Sequence, residues 1–197
     1  MKIEIIGNGV FGTFLKTLLN GTFEVCEPAD TIVLAVPISA YVNVVKNTLN
    51  NRPNSKIIHF INVCSVQAPS YNAISSLTSF VTGIHPLFGP RTPPEKRHAI
   101  ITHRCGLIGE QEFLDGFSKV CVEISEMSRH DHDKIMARTH LAAVNAAKLL
   151  RPFIDNAKDV PDHMVPNSFR LMRQFVQTLD DMPKGTLESI MANEHVD

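Results

Sequence analysis

The feature of the sequence that most constrains its fold is a glycine-rich turn close to the start of the chain. An apolar-rich strand predicted over residues 2–6 runs directly into Gly7, Gly9 and Gly12, and a helical pattern then continues to about Asn20. In such a G-x-G-x-x-G turn the first glycine makes the tight turn, the second lets a pyrophosphate approach the backbone, and the third lets helix and strand pack closely. The helix N-terminus attracts the phosphates. The turn therefore predicts a strand–helix unit that binds a dinucleotide.

The chain up to residue 127 continues as alternating strands and helices. Continuous apolar runs over residues 31–37 ("TIVLAVP") and 56–65 ("KIIHFINVCS") predict strands that are buried on both faces of a parallel sheet. Shorter strands are predicted at "VTGI", "HAIITH" and "CVEIS", and helices over residues 42–49 and 110–120. This alternation predicts an α/β fold, a Rossmann-type doubly wound parallel sheet.

From Ser128 onward the pattern becomes helical. Ser128 followed by Asp131 is typical of an N-terminal helix cap, Pro152 is expected to interrupt the helix that follows, and residues 168–179 predict another helix. We therefore divide the chain into a dinucleotide-binding domain (residues 1–127) and a small all-helical segment (residues 128–197) for substrate binding and dimerisation. Because about 70 residues of helix build little core alone, this segment is expected to pack on the sheet or on a second copy, as a homodimer.

Composition excludes several classes of partner. A net charge of −1 gives no electrostatic footprint for nucleic acid or an anionic membrane. The N-terminal run lacks the pattern of a signal peptide, and the longest apolar run is too short and too polar to span a bilayer. The four cysteines lack C-x-x-C spacing, which argues against a zinc site or a disulfide framework and suits a reducing compartment. The expected location is the cytoplasm.

The charge pattern after the turn favours NAD over NADP as the cofactor. Glu27 lies twenty residues after Gly7, where an acidic residue is expected to bind the adenosine ribose, and no Arg or Lys lies between Lys16 and Lys46 to hold a 2′-phosphate. Only residues 27–31 connect a second strand to the next, whereas a parallel return normally needs a dozen residues or more. Either the second strand is vestigial or the adenosine side of the site is abbreviated. The candidate cofactor residues in the turn are Gly7, Asn8, Gly9, Val10, Phe11 and Gly12.

A second unusual segment is "TGIHPLFGP", residues 82–90, which surrounds His85 with two prolines and two glycines. Proline fixes φ, and glycine permits backbone shapes that other residues resist, so the segment holds one side chain in a fixed place. The segment alone is compatible with a rigid piece of chain bearing an ordinary imidazole or with a catalytic histidine.

Four motifs stand in order along the chain: "GNGVFG", "ADTIVLAVPI", "INVCSVQ" and "GIHPLFGP". They resemble the prephenate/arogenate dehydrogenase family of tyrosine biosynthesis, which has a glycine motif, an Asp before an apolar strand ending in V-P, then D-x-x-S-V-K and G-x-H-P-x-x-G. Farther on, "RHDHDKIMARTHL", "NSFRLMRQFV" and "GTLESIMANE" resemble the later helices of that family. The resemblance thus covers nearly the whole chain, and its V-P motif adds Val36 and Pro37 to the candidate cofactor residues.

The resemblance implies roles for individual residues. His85 matches the catalytic histidine of the family, and Ser65 matches a serine that hydrogen-bonds that histidine and the substrate hydroxyl. Arg170 is the best match for the arginine that binds a substrate carboxylate, with Arg173 as the alternative. His140 matches a histidine near the substrate pocket. The implied activity is NAD-dependent oxidative decarboxylation of prephenate to 4-hydroxyphenylpyruvate, or of arogenate to tyrosine.

Four departures from the family pattern keep alternatives open. Asn62 and Gln67 replace the Asp and the Lys of the serine motif, Ala143 replaces a second histidine, and the sequence ends soon after "MANE", where family members usually continue through further helices. One alternative is another dehydrogenase of this architecture that acts on a different small acid. The other is a degenerate member without dehydrogenase activity, which binds dinucleotide or only dimerises as a regulatory or structural protein.

The remaining histidines have simpler interpretations. "HDHD", residues 130–133, could suggest a metal site, but such sites need further ligands on other helices, and Asp is routine at a helix start, so no metal is expected. His59 lies in an apolar strand and is interpreted as structural. Asp133 and His140 are seven residues apart, so a helix is expected to place them on one face.

Overall fold

The computed structural model describes residues 1–52 and 57–193, in which the strands form a single sheet. The strands are β1 (Lys2–Ile6), β2 (Glu24–Val25), β3 (Thr31–Leu34), β4 (His59–Asn62), β5 (Val81–Pro86), β6 (His98–His103) and β7 (Glu123–Glu126). They are hydrogen-bonded in the order β2-β1-β3-β4-β5-β6-β7.

Among the described residues, four α-helices lie between strands of the sheet along the chain, and four come after the last strand. They are α1 (Val10–Leu19), α2 (Tyr41–Asn51), α3 (Gln67–Ser75), α4 (Ile108–Ser118), α5 (Arg129–Met136), α6 (Ala142–Asn156), α7 (Asn167–Asp180) and α8 (Lys184–Met191). A π-helix (Ala137–Leu141) joins α5 to α6. No helix in the described residues is both long enough and apolar enough to cross a membrane.

The predicted Rossmann-type sheet is confirmed, although it is mostly rather than wholly parallel. Strands β1 to β5 are all parallel to one another, β6 is antiparallel to β5, and β7 is parallel to β6. The connection from β5 to β6 carries only a short 3-10 helix (Pro94–Lys96), and a parallel return would need a longer crossover. We call the edge at which β1, β3, β4 and β5 end the carboxyl edge.

Each face of the sheet is covered by its own apolar core. On one face, α1 and α4 contribute buried side chains such as Leu15 and Phe117. On the other face, α2 and α3 contribute side chains such as Tyr41. Successive residues of β3 alternate between the two cores, with Val33 in the first and Ile32 in the second. This double coverage explains why the strand is a continuous apolar run in the sequence.

The second strand is vestigial, which was one of the two alternatives that the short connection left open. β2 is two residues long, and residues 26–30 lead directly back to β3. Glu4 of β1 is buried, and its Oε2 accepts hydrogen bonds from the Ala29 amide (3.2 Å) and from Arg52 (2.5 Å). Arg52 also donates to the Ala29 carbonyl oxygen at 2.7 Å. This ion pair holds the return loop against the sheet in place of a crossover helix.

The helices differ from the sequence prediction in two places. Helix α3 was not anticipated, because "QAPSYNAIS" has weak helical periodicity; its Pro69 lies in the first turn, where a missing N–H is tolerated. The expected interruption at Pro152 is wrong, because Pro152 lies inside α6. It stands close to the helix end, where the carbonyl of exposed Lys148 can bond to water instead. Lys56, the first residue of a predicted strand, lies outside the described residues.

The helical segment packs against the sheet domain, which is one of the two arrangements expected from the sequence; the other was packing on a second copy. Ser128 caps α5 by accepting a hydrogen bond from the Asp131 amide at 3.1 Å, as predicted. α5 contacts α3 and β6, and the Arg129 guanidinium lies 3.6 Å from the centroid of the Tyr71 ring on α3. The segment has a small apolar cluster of its own that includes Leu141, and α5 attaches it to the sheet domain.

His59 belongs to a hydrogen-bonded network at the opposite edge of the sheet. Its Nε2 lies 2.7 Å from the hydroxyl of Thr82, which also hydrogen-bonds Glu110 and lies 3.5 Å from the Cys105 sulfur. Glu110 accepts further bonds from the amides of Cys105 and Gly106. His59, Cys105 and Glu110 are close enough to hold a metal ion, with ligand atoms within 4.8 Å. Because the Thr82 hydroxyl already links all three, we interpret the group as structural.

This network makes stability depend on pH. Burial, opposed by the nearby charge of Glu110, lowers the pKa of His59 from 6.5 to about 4. Between these values the unfolded chain binds a proton that the folded chain does not, so His59 should cost about 3 kcal/mol of stability as the pH falls through this window. Urea unfolding measures the free energy of unfolding at each pH. Between neutral pH and about pH 4, we expect this free energy to fall by about 3 kcal/mol less in His59→Gln than in wild type.

The control for this expectation is His163→Gln, because His163 is exposed and its replacement should leave the wild-type pH dependence unchanged. Equal losses of stability in wild type and His59→Gln over the same pH range would contradict the assignment.

Candidate active site

The glycine turn leaves the end of β1 at the carboxyl edge and has the features of a phosphate-binding turn. Gly7 has a φ of +138°, which L side chains rarely adopt, and a Cβ there would overlap the backbone carbonyl of Ala35 after β3. A Cβ on Gly12 would overlap the carbonyl of Gly7. By contrast, a Cβ on Gly9 would meet no atom within 4 Å. The first and third glycines are thus required by packing, whereas the second faces open space.

The other predicted cofactor residues flank this turn. Asn8 and Val10 are exposed, and Asn8 accepts a hydrogen bond from Lys16 at 2.8 Å. Half-buried Phe11 packs near Phe14 on α1, with ring centroids 6.1 Å apart. The exposed carboxylate of Glu27 follows the end of β2.

Val36 and Pro37 follow the end of β3 at the same edge. Val36 is half-buried and Pro37 is exposed. Helix α8 approaches this loop closely, because a Cβ on Gly185 would lie 2.8 Å from the Pro37 ring. The predicted cofactor residues therefore lie in the turn and at the ends of β2 and β3.

His85 is held in a strand rather than in a loop. It is the fifth residue of β5, and a β-bulge between Gly83 and Ile84 precedes it. Side chains of β5 alternate: Ile84 enters the core under α1 and α4, whereas His85 faces the side on which α5 packs. A Cβ on Gly83 would lie 2.6 Å from Gln67 Oε1, so glycine is required where α3 crosses the strand. The bulge and the glycine together position the imidazole.

His85 is the first member of a hydrogen-bonded chain that the sequence did not reveal. Its Nδ1 lies 2.8 Å from His132 Nε2, and His132 Nδ1 lies 2.7 Å from Asp133 Oδ1. The two imidazole rings are nearly perpendicular, at 79°. All three side chains are buried, and Asp133 is only 1% exposed. The chain therefore connects the end of β5 to a buried carboxylate on α5.

The carboxylate of Asp133 also caps α3. Its Oδ1 accepts the amide of Gln67 at 2.8 Å, and its Oδ2 accepts the amide of Ala68 at 2.7 Å. Burial alone would raise the pKa of Asp133, but the hydrogen bonds from His132 and from these two amides outweigh burial and lower the pKa. The carboxylate is therefore ionised at neutral pH, and it is fixed in position by groups on two elements.

The electrostatic surroundings of His85 keep its imidazole neutral. Burial, followed by the charges of His132 and His140, lowers the pKa of His85 well below its usual value. His140 makes the smaller of these two contributions. His140 is half-buried within the π-helix, a feature that is frequent at functional sites, and burial lowers its own pKa.

The second nitrogen of His85, Nε2, is available to a ligand. It has no hydrogen-bond partner among the described residues. In that part of the chain, His59 Nδ1 is the one side-chain nitrogen or oxygen that is both fully buried and without a partner, so His85 Nε2 is not fully buried. Nε2 therefore reaches solvent even though the side chain is only 4% exposed. A neutral imidazole with one nitrogen held by the protein and the other open can accept a proton from a bound substrate.

The structure does not bring every predicted residue to His85. The expected hydrogen bond from Ser65 is absent in the described part of the chain, because His132 occupies the Nδ1 side of the ring. Arg173 donates to the carbonyls of Ala157 (2.8 Å) and Val160 and pairs with Asp162, so it holds a loop. Arg170 is exposed on α7, and within residues 1–52 and 57–193 it has no carboxylate partner.

The two departures in the serine motif lie together beneath the site. Asn62 and Gln67 are both fully buried, and the Asn62 amide donates to Gln67 Oε1 at 3.2 Å. Gln67 Oε1 also accepts from the hydroxyl of Thr102 at 2.7 Å, and Asn62 Oδ1 accepts from the hydroxyl of Tyr41 at 3.1 Å. A neutral amide pair thus stands where the family pattern has an acid and a base. Because both charges are missing together, neither is left unpaired.

The fold is shared with several solved structures, although no protein-family model and no curated protein matches the sequence. A provisional prephenate dehydrogenase from Corynebacterium glutamicum is 17% identical, with a TM-score of 0.71 over 96% of this chain and 73% of that one. Prephenate dehydrogenase from Aquifex aeolicus, in complex with hydroxyphenyl propionate and NAD+, is 15% identical, with a TM-score of 0.68 over 98% and 83%. Synechocystis arogenate dehydrogenase is 17% identical, with a TM-score of 0.61 over 97% and 87%. The chain therefore has the fold of the prephenate and arogenate dehydrogenases.

Proposed function

We propose that this chain is an NAD-dependent dehydrogenase that oxidatively decarboxylates prephenate or arogenate. The observation that carries the proposal is the open Nε2 of His85 at the carboxyl edge that also holds the glycine turn. The strands β1 and β5 are three positions apart in the sheet, roughly 14 Å. In open α/β sheets ligands bind along this edge, at the point where the strand order reverses. Here that point lies between β1 and β3.

The turn fits a dinucleotide. Its first and third glycines pack against backbone, and its second glycine has open space where a pyrophosphate would approach. Glu27 after β2 would bind the adenosine ribose, and the absence of Lys and Arg between residues 16 and 46 favours NAD. When bound, NAD+ would accept the hydride from C4 of the substrate ring.

His85 would act as the general base of this reaction. Its Nε2 would accept the proton of the C4 hydroxyl while the C4–H bond breaks and that oxygen becomes a carbonyl. The bond from C1 to its carboxylate then breaks and carbon dioxide leaves. The electron pair of that bond makes the ring aromatic and turns the C4 carbonyl into a phenolate, which takes a proton to become the phenol. Because aromatisation supplies much of the driving force, the protein mainly has to position the groups and accept one proton. Ser65, in the loop before α3, remains a candidate for contacting the substrate hydroxyl.

A substrate carboxylate requires a cation, and a guanidinium binds it in a bidentate manner. Arg170 is the better candidate, because Arg173 is already engaged with Asp162 and two backbone carbonyls. His140 would line the pocket that receives the substrate ring.

The assay that tests the proposal is the appearance of NADH absorbance on adding prephenate or arogenate with NAD+. A signal with one substrate but not the other would establish the preference. A second candidate function, a dinucleotide-binding protein without dehydrogenase activity, is favoured by the two-residue β2, which shortens the adenosine side of the site. No NADH with either substrate, together with no heat of NAD+ binding, would contradict the first proposal. NAD+ binding without either activity would favour the second, or a different small acid as substrate.

We further propose that the chain forms a homodimer through its helical segment. Large apolar side chains are exposed one turn apart on two helices that contact each other, Leu149 and Phe153 on α6, and Leu171 and Phe175 on α7. Exposed apolar patches of this kind are common at interfaces between subunits.

A charge in the proposed interface should separate the subunits. We expect wild type to be a dimer at micromolar concentration in light scattering, and Phe153→Glu to be a monomer with a wild-type circular dichroism spectrum. Ile108→Glu is the control, because Ile108 is exposed on α4 of the sheet domain and should not affect assembly. A wild-type monomer at that concentration would contradict the dimer.

A further inference from the structure

We propose that His132 and Asp133 are positioning residues that set the tautomer of His85, so that its Nε2 is a proton acceptor. The proposal deepens the proposed function, since it rests on His85 acting as the base. It concerns two residues of the motif "HDHD" whose spacing alone suggested a helix cap or a metal site.

The tautomers follow from what each group can donate. An ionised carboxylate only accepts hydrogen bonds, so the 2.7 Å contact with Asp133 requires the proton of His132 to be on Nδ1. A neutral imidazole carries one proton, and His132 Nε2 therefore has a free lone pair. The 2.8 Å contact between the rings is then a donation from His85 Nδ1 to His132 Nε2. His85 in turn has its free lone pair on Nε2, the nitrogen open to a ligand.

Without the carboxylate the direction of this chain would be undetermined. Two imidazoles in contact can share a hydrogen bond in either direction, and in the reverse direction His85 Nε2 would carry a proton and could not act as a base. Asp133 removes that choice because the amides of Gln67 and Ala68 hold its oxygens as acceptors. The Asn193 side chain adds a further tie to this residue, since its amide nitrogen donates to the backbone carbonyl of Asp133 at 2.8 Å. The carboxylate thus cannot rotate away from His132.

The same chain would stabilise His85 after it has accepted a proton. The resulting imidazolium is buried, and a buried charge is costly unless it is paired. Its Nδ1–H remains bonded to His132, which is polarised by the Asp133 carboxylate behind it. The chain therefore lowers the cost of the charge formed at His85 without placing a carboxylate in contact with the substrate.

A purely structural role for Asp133 would be to cap α3 and attach α5 to the sheet. The variant Asp133→Asn separates the two roles, because an amide can accept from one backbone N–H and also donate to His132. That donation would place the proton of His132 on Nε2 and the proton of His85 on Nε2, which is the reversed chain. The bond from the second amide is lost in this variant, which weakens the cap of α3 but keeps the bond from the first amide.

The experiment combines nitrogen NMR of isotope-labelled histidine with steady-state kinetics. In wild type we expect His85 to be protonated on Nδ1. In Asp133→Asn we expect it to be protonated on Nε2, with kcat reduced by about 10²–10⁴-fold and KM little changed, as for a base in the wrong tautomer. His132→Gln removes the relay but keeps the α3 cap, and should lower kcat comparably. Asp131→Asn is the control, since Asp131 is exposed and its carboxylate bonds to Ser128 within the cap of α5.

The outcomes distinguish this proposal from the proposed function. A His85 protonated on Nε2 in wild type, or an unchanged tautomer in Asp133→Asn, would overturn the positioning role. A reversed tautomer with wild-type kcat would overturn its importance for turnover. If wild type oxidises neither substrate, the proposed function fails, and the NMR measurement still decides whether Asp133 sets the tautomer.

Discussion

Replacing His85 with asparagine should lower kcat by about 10³-fold and leave the affinity for NAD+ unchanged. An asparagine amide can still donate to His132 Nε2, as His85 Nδ1 does, so the local packing is preserved. It has no group that accepts a proton near neutral pH, so the general base is lost. The measurements are steady-state kinetics with prephenate or arogenate, and calorimetry of NAD+ binding.

The matched control is His98→Asn, because the exposed side chain of His98, at the start of β6, lies 3.8 Å from Glu123 on β7 and takes no part in the chain of His85, His132 and Asp133. We expect wild-type turnover from it. Turnover within a few-fold of wild type in His85→Asn would refute the assignment of the base, and a parallel loss of NAD+ affinity would indicate a structural rather than a catalytic defect.

The second large effect should come from the glycine turn, where two neighbouring substitutions have opposite consequences. Gly7→Ala places a Cβ against the carbonyl of Ala35 at a φ of +138°, and should lower the free energy of unfolding by roughly 3 kcal/mol. Gly9→Ala meets no atom within 4 Å, and its φ of −72° suits alanine, so stability should be unchanged or rise by up to about 1 kcal/mol. The methyl group of Gly9→Ala would nonetheless stand where the pyrophosphate approaches.

Urea unfolding and calorimetry of NAD+ binding measure the two effects separately. We expect Gly9→Ala to fold normally and to bind NAD+ at least about tenfold more weakly. Undiminished NAD+ binding by Gly9→Ala would contradict the assignment of the turn as the pyrophosphate site, and a fully stable Gly7→Ala would contradict the close approach of β1 and β3.

The parts of the fold that were predictable from the sequence are those set by local pattern. The glycine turn, the buried run of β3 and the cap at Ser128 depend on residues that are neighbours in the chain, and each is found where expected. The brevity of β2 was also visible, because it follows from the length of a connection. Helix α3 was missed because its weak periodicity is compensated by a cap from distant Asp133, which local sequence does not reveal.

The fixed position of His85 was predictable from the sequence, but its hydrogen-bond partners were not. Proline and glycine around His85 are a local signal, whereas the bond to His132 depends on how α5 docks on the sheet, 47 residues farther along the chain. The signal that could have found His132 is its place beside Asp133 in α5, directly before the π-helix that carries His140, which was already assigned to the pocket. The bond expected from Ser65 is not found among the described residues, and nothing local to Ser65 shows that His132 takes the Nδ1 side of His85.

The most direct test of the account is a crystal structure of this protein with NAD+ and hydroxyphenyl propionate. We expect the pyrophosphate at the turn of residues 7–12, the nicotinamide between that turn and β5, and the phenolic oxygen within hydrogen-bond distance of His85 Nε2. A dinucleotide bound elsewhere, or a phenolic oxygen that faces away from His85 with the imidazole bonded only to the protein, would contradict it.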